Sequence, residues 1–583
     1  PMRAVISLRV HEGVQTRVRD VEIRGNERIT TEELRFLVQP LVGQPVRRTE
    51  VDRSLTRLRD LYANRGYADV QTTSQEDISE DGTEATLVWE VSEGPRIQFG
   101  KVVVRGNRHT HTWLIRNELS MRPGRVWDAS EVTASRQRLM DTGLFSQVRV
   151  RPLNTSERVR DVLVEVAERK RWRLKLGPGI STAEGIRLVA EGHVGNIGGV
   201  GHRWTTYLHF GIDSESLRIF GPATGITPFS DIDAEWKIVT GYEFAHFPRV
   251  PIRVNVRVLL NERVLQPTYV VQKYGVGIGA TLRLALPSGD RHELRTSWGF
   301  DVIWRYPEYV DPAAVLCDAD LADADFGNRF MGLVGAAQPP ESLRRLGLLW
   351  LAIQLDLRDD PFNPTRGMYL TADLEATDPS ALSEEKFGRF RQRVSFYLPL
   401  MKWMKDAAPG WPFYLVSGFE WGIGWLGPDT AMLPVEWRFR LGGASSVRGY
   451  PLETLGPTVE RNRVLSDLSF TESTIRVPVG GDVFYSFAIE EHFPLNRKRS
   501  VEFILFQDGG NAFLRLGEDF PELDRGLDTV IRASAGIGFR VRTPIGPLRL
   551  DAGAQLGSES PLFHPELGPW WKGMNIHFSV GAL

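Results

Sequence analysis

From Arg171 to the end of the chain, apolar and polar residues alternate with a period of two. Trp172, Leu174 and Leu176 interleave with Arg171, Arg173 and Lys175, and Val254, Val256 and Val258 with Arg253, Asn255 and Arg257. Near the C-terminus Met574, Ile576, Phe578 and Val580 interleave with Asn575, His577, Ser579 and Gly581. Successive strand side chains point to opposite faces, so each run predicts a strand with one apolar and one polar face. Segments of this kind begin near residues 171, 184, 201, 232, 251, 269, 290, 345, 366, 386, 411, 482, 500, 530, 546 and 573, which makes 16 strands. A soluble sandwich shows the same alternation, so the connections decide. Phe247-Pro248-Arg249, Pro287-Ser288-Gly289 and Thr543-Pro544-Ile545-Gly546 read as tight turns at even-numbered gaps, while the long gaps near 310–344 and 427–481 fall at odd-numbered ones. Short turns at one end, long loops at the other and an even strand count predict an antiparallel transmembrane barrel. Two connections fit less neatly: the first outer loop is short, and Lys402–Gly410 is long for a turn.

The first 170 residues follow another pattern. Glu12-Gly13 recurs as Glu93-Gly94 and Gly25-Asn26 as Gly106-Asn107, both offset by 81 residues, which marks an internal repeat. Each unit predicts strand, helix, helix, strand, strand. In the first, Val18–Arg24 alternates, and Thr30 with Glu33 forms a capping box. Val51, Leu55, Leu58 and Leu61 then form one helical stripe that Gly66 ends, before strands near Tyr67–Ser74 and Glu84–Val91. In the second, Gln98–Arg105 is the strand, Asp128 with Glu131 caps the longer helix, Gly143 ends it, and Leu144–Arg151 and Asp161–Val166 close the unit. Ala4–Val10 reads as the last strand of a preceding unit. The expected division is 1–16 as that remnant, 17–95 and 96–170 as the two repeats, and 171–583 as the barrel.

Composition narrows the class. A net charge of −2 gives no global basic field for nucleic acid. No apolar run reaches the roughly 18 residues of a spanning helix, so a membrane form must be a barrel. The 56 Gly, 16 Trp and 29 Phe suit a barrel with aromatic girdles. The single Cys317 excludes an internal disulfide framework. Pro1-Met2-Arg3 leads straight into a strand-like run without a visible signal peptide, as expected of a processed or truncated chain.

Four motifs stand at particular places in this frame. Val447-Arg448-Gly449-Tyr450 lies in the loop at about 427–481, the sixth outer loop by this strand count. Phe506-Gln507-Asp508-Gly509-Gly510-Asn511 falls on the thirteenth barrel strand and Ile489-Glu490-Glu491-His492-Phe493-Pro494 on the twelfth. Asp356–Gly367 forms the turn before the ninth. Together with the front repeats, these motifs resemble the outer-membrane assembly superfamily that includes BamA, TamA and FhaC. Its repeats are POTRA domains and its sixth-loop signature folds back into the barrel lumen. A lumenal Arg448 is costly unless paired. Bidentate pairing to Asp508, with Glu490 nearby, would hold the loop tip against the inner wall. Glu490 shares parity with Ser486 and Ala488 and so faces in; a bulge would substitute Glu491. Gly449 would permit close approach and Tyr450 would pack there. The bland alternative is a surface loop with a solvated arginine.

Closure requires the first strand, near Trp172, Leu174, Leu176, Gly177 and Gly179, to meet the last, near Ile576, Phe578, Val580 and Gly581. Proline and glycine in Gly177-Pro178-Gly179 weaken a ladder. The resemblance implies a factor that folds and inserts β-barrel proteins or autotransporters through this weak seam. It places the barrel in a bacterial outer membrane with the POTRA domains in the periplasm. Asp-Gly-Gly-Asn at Asp508–Asn511, Leu455-Gly456-Pro457 and His577-Phe578-Ser579-Val580-Gly581 favour the TamA branch within the family. The partners implied are unfolded outer-membrane clients, the lipid bilayer, and TamB, or assembly lipoproteins for a BamA-like chain. The competing functions are a two-partner-secretion pore exporting one partner protein and a passive porin. Chemistry has little footing: Gly275-Val276-Gly277-Ile278-Gly279 sits in alternating strand, His109 and His111 lack a metal-ligand partner set, and Gly443-Ala444-Ser445 is no full nucleophile elbow. No enzyme, cofactor or metal is expected.

Overall fold

A computed structural model describes residues 14–154, 158–182, 185–212, 234–244, 252–266, 269–286, 292–308, 343–361, 363–400, 413–427, 433–463, 473–496, 499–514, 523–524, 531–543, 546–557, 560–561 and 573–581. The expected remnant strand Ala4–Val10, the Glu12-Gly13 pair, Cys317, most of the 310–344 loop, Lys402–Gly410 and most residues of the three tight turns lie outside them. The chain divides into two compact units, residues 1–170 with 196–201, and the remainder.

In the first unit, β1 (Arg17–Arg24), α1 (Thr31–Val38), α2 (Arg48–Asn64), β2 (Gln71–Ile78) and β3 (Glu84–Ser92) form one repeat. The second comprises β4 (Gln98–Arg105), α3 (Thr112–Glu118), α4 (Ala129–Asp141), β5 (Phe145–Asn154) and β6 (Val159–Glu168). Their sheets share one topology, β1-β3-β2 and β4-β6-β5, with the last strand central and parallel to the first. The helix starts follow the side-chain caps: Thr30 accepts from the Glu33 amide at 3.4 Å, and Asp128 from the Ser130 amide at 2.8 Å. The α2 stripe differs at its end, where Tyr62 rather than Leu61 is fully buried. Tyr67 donates its amide to the Tyr62 carbonyl at 3.0 Å and packs edge-on against that ring, so the chain turns further and β2 begins at Gln71.

The repeated dipeptides do the same job twice. Asn26 donates to the Ile29 carbonyl and Asn107 to the Thr110 carbonyl, both at 2.9 Å. Each following turn closes on a carboxylate: Glu93 accepts from the Arg28 amide and the Tyr62 hydroxyl, both at 2.9 Å, and Glu168 from the amide and hydroxyl of Thr110, both at 2.7 Å. His109 belongs to this turn and donates its own amide to Glu168 at 3.0 Å.

The second unit is a closed antiparallel barrel of 16 strands. In chain order they are β7 (Trp172–Ser181), β8 (Gly185–Ile197), β9 (His202–Ile212), β10 (Ala234–Glu243), β11 (Ile252–Gln266), β12 (Tyr269–Ala285), β13 (Glu293–Glu308) and β14 (Arg344–Asp356). They continue with β15 (Gly367–Thr377), β16 (Phe387–Pro399), β17 (Tyr414–Leu426), β20 (Val483–Pro494), β21 (Val501–Phe513), β23 (Arg532–Thr543), β24 (Gly546–Leu556) and β25 (Met574–Gly581). The short β18 (Thr458–Arg463), β19 (Ser473–Pro478) and β22 (Leu523–Asp524) form a separate small sheet.

Polarity is inverted relative to a soluble core. Ile278, Leu349, Phe419 and Ile576 are exposed on the wall, while Glu420, His492, Glu502, Asp508 and Asp551 are buried. Apolar outside and polar inside is the arrangement a bilayer requires, and it removes the sandwich alternative. The two rims differ as expected: residues 495–500 join β20 to β21 at one, whereas 427–482 separate β17 from β20 at the other.

Candidate functional site: an arginine held across the lumen

The long 427–482 segment enters the barrel. Near its start Glu436 is ion-paired to Arg305 of β13 at 3.0 Å, and Trp437 packs against Phe387 of β16 with the Lys273 ammonium 5.0 Å from its ring. Its tip is a small hairpin. Gly443 donates its amide to the Tyr450 carbonyl at 2.9 Å, Leu455 donates to the Leu441 carbonyl at 2.9 Å, and Ser446 bridges both polar groups of Gly442. Gly442 and Gly443 have φ of +111° and +84°, the left-handed region that favours glycine. Val447 and Tyr450 are buried with Phe439, Leu441, Leu455, Phe484 and Ala512, so an apolar plug seats the tip.

Arg448 projects from this seat and is 2% exposed. Its Nε donates to one oxygen of Asp508 and a terminal nitrogen to the other, both at 2.7 Å, the bidentate fork that fits guanidinium to carboxylate. Its second terminal nitrogen donates to Glu490 at 2.8 Å, and Asp551 of β24 lies 3.7 Å away. The Arg448 amide also donates to Asp508 at 3.2 Å, and the guanidinium sits 3.6 Å from the centre of the Phe506 ring. Arg540 of β23 pairs with Glu490 at 3.1 Å, and Arg549 pairs with Asp551. Arginines 448, 540 and 549 thus face acids 490, 508 and 551, a neutral set that makes burial of the charges tolerable. Glu490 also accepts from His492 at 2.9 Å, whose other ring nitrogen contacts Glu502 at 3.2 Å.

The β20–β21 register runs unbroken from Val483↔Phe513 to Pro494↔Glu502. Without a bulge Glu490 keeps its inward parity, and Glu491 takes no part in the cluster. Gly449 lies hard against the wall, where an added Cβ would sit 2.5 Å from Ser534 Cβ and 3.0 Å from the Ala554 backbone. In the motif turn before β15, Asp359 accepts from the Thr365 amide at 2.9 Å, Arg358 pairs with Asp356 at 2.7 Å, and Arg499 donates to the Asn363 carbonyl at 3.3 Å.

Closure of the barrel is narrow. Among the described residues, Ser579↔Ser181, Val580↔Ile180 and Gly581↔Gly179 pair β25 with β7, and Thr182 adds hydrogen bonds to Phe578 at 3.0 and 3.1 Å. Of the residues expected there, Gly179, Phe578, Val580 and Gly581 lie in the seam. Trp172, Leu174, Leu176 and Gly177 pair with β8 alone among the described residues, and Ile576 pairs with β24. The first and last strands do meet, and among the described residues they do so over part of their length. The register sets Gly179 opposite Gly581, so the earlier half of β7 has no partner on the described part of β25.

The family model described as the Omp85 superfamily domain matches residues 337–581, and the POTRA model, described as a surface antigen variable number repeat, matches 16–94 and 97–169. The chain belongs to the Omp85 superfamily. Among this Omp85 chain's relatives is the outer membrane protein assembly factor BamA of Neisseria meningitidis, 23% identical over 88% of the chain and 59% of that protein. A putative outer membrane protein assembly factor of Treponema pallidum is 25% identical over 71% of the chain and 49% of that protein. The Omp85 chain thus spans about half the length of the curated relatives it matches. The crystal structure of Haemophilus ducreyi BamA lacking POTRA domains 1–3 shares its fold, with a TM-score of 0.68 at 16% identity, covering 97% of this chain and 99% of that one. The Neisseria relative and the Haemophilus structure carry the BamA name, and the TamA preference rests on the sequence motifs alone.

Sequence reasoning missed Asp551, Arg540, Arg549, Gly553 and Asn575 of the Omp85 site. Parity along β24 does place Arg549, Asp551 and Gly553 inward between Leu548, Leu550 and Ala552. What alternation leaves out is which inward residues meet the loop tip.

Proposed function

We propose that this chain assists the folding and insertion of outer-membrane β-barrel proteins or autotransporters by lending them the free edge beside its seam. The observation that carries the reading is the three-pair closure between β25 and β7. Other neighbouring strands pair over longer ladders; β12 and β13, for example, pair from Val270 to Ala285. A strand edge with unpaired amides and carbonyls accepts an incoming strand by β-augmentation. At the membrane face of a barrel this lets a client begin its own sheet without exposing backbone to hydrocarbon. The relatives named as assembly factors support the reading. In it, the repeats 17–95 and 96–170 lie in the periplasm and receive unfolded clients. TamB or assembly lipoproteins are the companion proteins. The alternative is a two-partner-secretion pore exporting one partner protein; it shares the sixth-loop signature, so the client-folding measurement separates the two readings.

The test uses the full chain in liposomes with an unfolded outer-membrane barrel as client. The intact protein should accelerate client folding over empty liposomes, and Arg448→Ala should lose most of that acceleration. No acceleration by the intact protein sinks the proposal.

A further inference from the structure

We infer that Asn575 and His577 are positioning residues that clasp the last strand of the barrel to the backbone of the inward loop. The inference rests on the reading that the β25 edge takes part in function, and adds how that edge is held. His577 is buried on the lumen side of β25, while its neighbour Ile576 is 63% exposed on the opposite face. The His577 Nε2 lies 2.8 Å from the Arg448 carbonyl, and Asn575 donates its side-chain amide to the Gly449 carbonyl. A carbonyl can only accept, so His577 carries its proton on Nε2. The loop backbone comes this close to the wall because Gly553 of β24 has no side chain: a Cβ there would stand 2.8 Å from the Arg448 carbonyl carbon.

Arg448 therefore grips in two directions. Its side chain holds β20 and β21 through Glu490 and Asp508, and its main chain, with that of Gly449, holds β25. The strand with the sparsest pairing across the seam gains lumenal hydrogen bonds in its place. If β25 leaves, two loop carbonyls in the lumen lose their donors; if the tip lifts, β25 loses two acceptors. Each departure favours the other, so seam opening and loop undocking are coupled in both directions.

Hydrogen exchange of the full chain in liposomes tests this without any client. In the Asn575→Ala/His577→Ala variant, amides of 574–581 should exchange roughly tenfold faster than in the parent, as loss of two hydrogen bonds implies, with β20 and β21 unchanged. His577→Gln keeps a donor at similar reach and should retain near-parental protection. Asn575→Ala alone, which leaves His577 in place, should fall between and serves if the double variant does not fold. Parental exchange rates in a folded double variant, or in folded Asn575→Ala, overturn the clasp. Faster exchange in variants of a protein that does not accelerate clients leaves the clasp standing and removes the assembly reading. Parental exchange in variants of a protein that does accelerate clients removes the clasp alone.

Discussion

The barrel has two kinds of strand contact, and their difference locates its working part. Between β20 and β21 the ladder is continuous over twelve pairs, and both strands send an acid inward to the same arginine. Between β25 and β7 three pairs close the cylinder. Both lie in the same apolar belt, so lipid burial does not distinguish them. Backbone pairing and lumenal charge do. One side of the barrel is over-determined and the other barely closed, and a single loop tip touches both.

Removing the charge lock should break the contrast most strongly. Arg448→Ala leaves Asp508, Glu490 and Asp551 with too little positive charge inside the lumen, a loss of about 3–5 kcal/mol for a buried pair deprived of one partner. A large fall in the urea midpoint of the folded barrel, and proteolytic cleavage near 441–450, should follow. Arg448→Lys keeps the charge but not the fork, and should recover only part of the loss. An unchanged midpoint in Arg448→Ala would mean that the cluster holds nothing.

Stapling the weak side should sharpen the comparison. Ile180→Cys with Val580→Cys, in a Cys317→Ser background, joins residues that face each other across the seam. Oxidation should suppress client folding and reduction restore it, and full activity in the oxidised form would exclude the seam. A smaller effect is expected where the tip meets the wall. Gly449→Ala forces a Cβ to within 2.5 Å of Ser534 Cβ, and overpacking of this kind costs roughly 1–3 kcal/mol. The urea midpoint should drop less than in Arg448→Ala.

The smallest expected effect lies in the second repeat and provides a control remote in sequence from the lock. Burial pushes the Glu168 carboxyl up, but hydrogen bonds from the Thr110 hydroxyl and amide and the His109 amide outweigh it and hold the carboxyl below its ordinary value. A depressed carboxylate adds stability above its unfolded pKa and loses it as pH falls through the folded value. Acidification below about pH 4.5 should therefore loosen the 109–110 turn, read by exchange of its amides. Glu168→Gln should show a weaker turn at neutral pH and little further acid dependence.

Much of this architecture is legible in the chain. All 16 barrel strands begin within a few residues of where alternation places them, because a strand between lipid and lumen has no other way to satisfy both faces. The repeat is legible because Gly25-Asn26 and Gly106-Asn107 make the same backbone turn. Local rules faltered where a long-range contact competed, as when Tyr62 and Tyr67 packed together and delayed β2.

Residue order alone determined that Arg448, Asp508 and Glu490 were available, since a charge on an inward parity must find a partner. Only the closed barrel decided that Asp551 and Arg540 complete their balance, that His577 and Asn575 face the loop tip, and that Gly179–Ser181 meet Ser579–Gly581 at the seam. Alternation specifies which face a side chain occupies but carries no information on how far one strand slides past another or which parts of the wall a folded-back loop reaches. Those depend on ring closure, a property of all the strands together.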